Sequence, residues 1–78
     1  MHTATLFDIT PAAIRAHFAS ITLPAELSLG PHAHITDLPK FIETQIERIE
    51  SEVPVHRRLA FGALATIAEK LNHPFPIG

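Results

Sequence analysis

Apolar residues recur with the period of a helix in three stretches of this chain, and prolines separate the three. In the first, Ile14, Phe18 and Ile21 follow one another at i, i+4 and i+7 and make one face, with Arg15 directed elsewhere. Thr10 is a good N-cap, and Pro11 suits the first helical position, where no amide hydrogen is missed. Ile9 and Ile14 have the spacing of a hydrophobic staple across that cap. Leu23-Pro24 stops the segment, because the residue before proline is pushed out of the α region. The pattern predicts helix 1 over about residues 11–21.

In the second stretch Leu38, Phe41, Ile42, Ile46, Ile49 and Val53 share a stripe, with Gln45 beside Ile46, while Glu43, Glu47 and Glu50 form an acidic ridge on the other side. Such a ridge is ordinarily a solvated face, and Glu43 and Glu47, one turn apart, repel each other mildly. Thr36 or Asp37 caps the start, Pro39 is tolerated in the first turn, and Pro54 ends the stretch, so helix 2 is expected over about 37–53. The third stretch, about 54–71, has Ala60, Leu64, Ile67, Ala68 and Leu71 on its main face, with Phe61 beside them. Asn72 is placed to take a left-handed conformation just past its end, with Pro74 beyond.

Between the first two helices, residues 22–36 hold Pro24, Gly30 and Pro31, which forbid a long helix. Leu23, Leu27 and Leu29 are spaced to pack onto the helices, and a short helical turn fits around Pro24–Leu27. No segment alternates strictly over four positions between hairpin dipeptides, so no strand is predicted. The tail, residues 72–78, is proline-rich and non-helical, with Phe75 and Ile77 available to fold back. The expectation is all-α: residues 1–78 as a small three-helix domain, helices 2 and 3 an antiparallel hairpin with the short helix 1 packed across it. Its expected core is Ile14, Phe18, Ile21, Leu38, Phe41, Ile42, Ile46, Ile49, Leu64, Ile67 and Leu71.

The third helix carries more apolar surface than one core needs. Val55, Leu59 and Ala63 form a second strip nearly opposite the main face, with Gly62 beside it. A surface helix needs one apolar face, so this strip calls for a cover. Gly62, Ala63 and Thr66 are small enough for another helix to approach closely. A symmetric homodimer through Val55, Leu59, Gly62, Ala63 and Thr66, or docking on another protein, is the expectation. Coverage within the chain by Leu23, Leu27, Phe75 and Ile77 is the alternative.

Composition narrows the chemistry. With 78 residues, 46% of them apolar, a thin core is feasible. The chain has no cysteine, which excludes a disulfide scaffold, a thiolate metal site and a cysteine nucleophile. The start, MHTATLFDITP, lacks a basic region followed by an apolar one, and no apolar run is long enough to span a bilayer, so a soluble, cytoplasmic protein is expected. Six Lys and Arg against eight Asp and Glu give a formal charge of −2, which disfavours nucleic acid as a partner; Arg57, Arg58, Arg48 and Lys40 are the residues it would have to use. No nucleophile-elbow, phosphate-loop, dinucleotide or zinc-protease motif occurs. A domain this small also has little room for a pocket of about 300 Å³ or more. A non-enzymatic protein without a cofactor is expected.

Six histidines draw the eye. His32-Ala33-His34 would point both imidazoles to one side of an extended segment, and Asp37, His17 or His73 could complete a metal site. Two exposed histidines in a proline-glycine loop are the plainer account, and a metal- or small-ligand-binding protein using His32 and His34 stands as the alternative function. His17 flanks the core face of helix 1 and is expected partly buried and hydrogen-bonded. His56-Arg57-Arg58 opens helix 3 at its positive end, so an acidic neighbour is expected among Glu47, Glu50 and Glu52, and an anion held by Arg57 and Arg58 is the functional alternative.

One resemblance goes beyond residue patterns. Ile21-Thr22-Leu23-Pro24-Ala25-Glu26-Leu27, followed by Ile35-Thr36-Asp37-Leu38-Pro39-Lys40-Phe41, resembles a small bacterial family of uncharacterised helical domains. These share a short first helix, a Leu-Pro loop with spaced leucines, and a T-D-x-x-K-F entry into the second helix. The resemblance covers about residues 11–50; the third helix, rich in alanine and glycine, departs from the family's more polar one. It implies a helical fold and no catalytic residue.

Overall fold

The computed structural model describes residues 10–76, which form α1 (Pro11–Ala19), β1 (Leu27–Gly30), β2 (Ala33–Ile35), α2 (Leu38–Arg48) and α3 (Pro54–Lys70). The expected staple partner Ile9 and tail residue Ile77 lie outside the described residues. α1 and α2 begin at side-chain caps, whereas α3 follows Val53 with none. The Thr10 hydroxyl accepts from the Ala13 amide at 3.2 Å, and the Asp37 carboxylate accepts from the Lys40 amide at 3.2 Å. All three helices place proline in the first turn.

The helix ends shorten two predicted elements. At the end of α1 the Ser20 hydroxyl donates to the His17 carbonyl at 2.7 Å, competing with a further helical turn. At the end of α2, bonds from Glu50 N to Glu47 O (3.3 Å) and Ser51 N to Arg48 O (3.0 Å) tighten the last turn, so the helix stops at Arg48 and not at Val53. The Ser51 hydroxyl then accepts from the Val53 amide at 3.1 Å and sets the extended residue that precedes Pro54.

The all-α expectation is overturned by residues 27–35, an antiparallel two-stranded hairpin, and the fold is α+β. No helical turn forms around Pro24–Leu27; β1 begins there instead. The reason the pattern concealed the strands is physical. Leu27 pairs with Ile35 and Ser28 with His34, but Gly30 pairs with Ala33, which leaves Leu29 as the extra residue of a bulge and breaks the alternation. The connection is Pro31-His32, and neither residue has a positive φ. It therefore lacks the left-handed dipeptide by which hairpins are usually recognised. Proline fixes its own φ for the turn, and the bulge supplies the twist that an unprimed turn does not.

Ile14, Phe18, Leu38, Ile42, Ile46, Ile49, Ala60, Leu64, Ile67, Ala68 and Phe75 are buried. Ile21, Phe41 and Leu71, expected in the core, pack at its margin with Leu23, Leu27, Leu29 and Ile35. α2 lies against both α1 and α3, and β1 rests on α3.

The chain after α3 reverses sharply. Asn72 has φ 63°, the Asn72 amide bonds the Glu69 carbonyl, and the His73 amide bonds the Ala68 carbonyl, both at 3.0 Å. That paired closure turns Phe75 inward. Its ring stacks on Phe61 at a centroid distance of 5.7 Å and meets Phe18 edge-on at 5.7 Å.

Candidate functional site

The helical repeat of α2 that buries Ile42, Ile46 and Ile49 also aligns Lys40, Thr44 and Arg48 along an outward line, one turn apart. Two residues, Thr36 and Asp37, join β2 to the start of α2. Between them lies a groove of about 490 Å³ bordered by His34, Ile35, Thr36 and Asp37 on the hairpin side, and by Lys40, Phe41, Thr44, Gln45 and Arg48 on the helix side. Its volume exceeds what the sequence led us to expect of so small a domain. Most of the residues that border it are exposed. Gln45 is 7% exposed and the only polar residue buried among those described, and no hydrogen bond among the described residues reaches its side-chain amide. Burying an amide without a partner costs about 1–3 kcal/mol. Gln45 and Arg48 also border a smaller hollow of about 190 Å³ with His56, Leu59 and Ala60. The polar residue within an isoleucine stripe was the sequence signal for this site, and it carried no motif.

His34 sits on the rim of the groove, its Nε2 hydrogen-bonded to the Glu26 carboxylate at 2.7 Å. His32 lies in the turn and not in β2, so the strand alternation that would align the two imidazoles does not extend across the pair. Among the described residues no three His, Asp or Glu side chains converge as a metal site. His17 donates from Nε2 to the His73 carbonyl at 2.6 Å and meets the Phe75 ring at 4.8 Å, away from the hairpin.

At the start of α3, the expected acidic partners are not engaged. Arg57 donates to the Ser51 carbonyl at 2.7 Å, and among the described residues no ion pair joins His56, Arg57 or Arg58 to Glu47, Glu50 or Glu52. Arg57 and Arg58 border a hollow of about 380 Å³ with Ile49, Pro54 and Phe61. The acidic ridge of α2 instead meets α1: Arg15 donates from Nε to Glu43 at 3.0 and 3.3 Å and from Nη2 to the same carboxylate. That hydrogen bond holds the Glu43 carboxyl below its usual range and raises the Arg15 guanidinium.

The second strip of α3 stays largely uncovered by the described chain. Leu59 is 67% exposed and Val55 50%, with Gly62 and Thr66 exposed and Ala63 half-buried. A Cβ built on Gly62 would meet nothing within 4 Å. The Thr66 hydroxyl donates to the Gly62 carbonyl at 2.9 Å, so its polar group is spent within the helix.

A family model described as Domain of unknown function (DUF6965) matches residues 10–61, from the α1 cap to the middle of α3. No curated protein and no solved structure matches the chain. No helix among the described residues is long and apolar enough to cross a membrane.

Proposed function

The chain belongs to the DUF6965 family, a domain of unknown function, and from that premise we propose that it is a non-enzymatic self-association module whose partner is a second copy of itself. The observation that carries this is Leu59, a large apolar side chain two-thirds exposed beside a helical glycine that no described residue of its own chain requires. Glycine inside a helix costs up to about 1 kcal/mol relative to alanine, a cost offset where another backbone approaches.

The strip is self-complementary. If two α3 helices cross antiparallel about a two-fold axis between Ala60 and Phe61, Leu59 of each copy faces Gly62 of the other, and Val55 faces Thr66. Leucine then meets glycine in both halves, each contact occurring twice as in an isologous interface.

Sedimentation or light scattering at micromolar concentration tests the reading. The native chain is expected to run as a dimer, and Leu59→Glu as a folded monomer. A monomeric native chain refutes it, and so does a Leu59→Glu chain that remains fully associated.

A further inference from the structure

We infer that the groove between β2 and α2 binds an extended, acidic peptide segment, at a site that adjoins the self-association strip, since Gln45 and Arg48 also border the hollow beside Leu59. Three independent features converge there. The first is Gln45, a buried carboxamide with a donor and an acceptor and no partner among the described residues. A peptide bond offers the complementary acceptor and donor side by side. The second is β2. It pairs with β1 alone, and among the described residues no other hydrogen bond reaches the backbone of Ala33, His34 or Ile35. An unpaired strand edge is a template on which an extended chain can add.

The third feature is charge. Lys40 and Arg48 flank Gln45 along α2, both exposed and without a side-chain partner among the described residues. Asp37, the acid on the groove wall, is engaged in capping α2. Eight residues of helix place the two cations about 12 Å apart along the axis. In an extended peptide, side chains at i and i+4 share a face and lie about 13 Å apart. Two carboxylates at that spacing would meet both cations, with the intervening peptide bonds over Gln45. The exposed walls suit a segment lying along the surface more than an enclosed small molecule, which is normally buried over most of its area.

The test uses the full chain and a fluorescein-labelled peptide, acetyl-Glu-Val-Thr-Val-Glu-Val-amide, read by fluorescence polarisation at low salt. Saturable binding is expected, weaker by about tenfold for the same peptide with glutamine at both acidic positions. Lys40→Ala with Arg48→Ala, both at exposed positions, is expected to lose about tenfold. Gln45→Met is expected to weaken binding while melting no lower than the native chain, because it removes an unpartnered amide at nearly constant volume. Methylating the central peptide nitrogen should abolish binding if the segment adds to β2. The inference is overturned if neither peptide binds, if both bind equally, if the double variant binds like the native chain, or if free glutarate displaces the peptide at equal concentration. A Gln45→Met chain that melts lower yet binds normally overturns the role given to Gln45.

Discussion

Leu64 is wholly enclosed by the core, whereas Phe41, which shares the apolar stripe of α2, stands at the margin beside the groove. Truncation should separate them. Leu64→Ala is expected to cost about 2–5 kcal/mol, the range for a buried leucine whose site cannot collapse fully, and Phe41→Ala clearly less. Urea unfolding of the two variants measures the difference, and equal losses would contradict the burial. Glu43 provides a second measurement at this scale. Its hydrogen bond to Arg15 depresses its pKa in the folded chain. The associated stabilisation is therefore present above the unfolded carboxyl's pKa and disappears as pH falls through the lower folded value. Glu43→Gln should melt below the native chain at neutral pH, and the gap should close in acid. Both groups are exposed, so added salt should narrow it too. At this scale the sequence was informative about Ile14 and Leu64, whose periodicity alone marks them. It marked Gln45 only as a polar neighbour of the stripe, because a glutamine there has the same spacing whether it is exposed or buried.

Helices were legible here because cap, proline and periodicity agreed at Thr10-Pro11 and at Asp37 to Pro39, proline and periodicity at Pro54, and because Asn72 closes α3 in the left-handed conformation its position predicted. The hairpin was not. Its strands are short, the bulge at Leu29 interrupts the alternation, and Pro31-His32 carries no left-handed turn residue. A two-stranded unit is marginal alone; packing of β1 on α3 supplies what local pattern does not. Gly62 gives α3 a measurable contradiction between fold and assembly. In the isolated chain its Cβ position is open, so Gly62→Ala should raise stability by up to about 1 kcal/mol through helix propensity. The same methyl should weaken dimerisation by holding the second helix away. Melting at high dilution and light scattering at micromolar concentration read the two effects, and a variant that gains stability without losing association removes glycine's part in the interface.

The matched family region ends at Phe61, yet Leu64, Ile67, Ala68 and Phe75 beyond it are buried among residues within it. A fragment of residues 10–61 should therefore lack cooperative unfolding by circular dichroism, whereas the full chain should melt in one transition. A fragment that melts sharply would place the essential core elsewhere. The contact between His17 and the His73 carbonyl has a consequence of another kind, in the order of events. It joins positions 56 apart, whereas α2 and α3 meet across a short turn. Loop-closure entropy rises with the length of chain enclosed, so the α2–α3 pair can assemble while the ends are still searching. The aromatic clasp around Phe75 is then expected to close over a helix pair already formed and to open before it, and hydrogen exchange that protected the Asn72 and His73 amides as long as those of α2 would contradict that order.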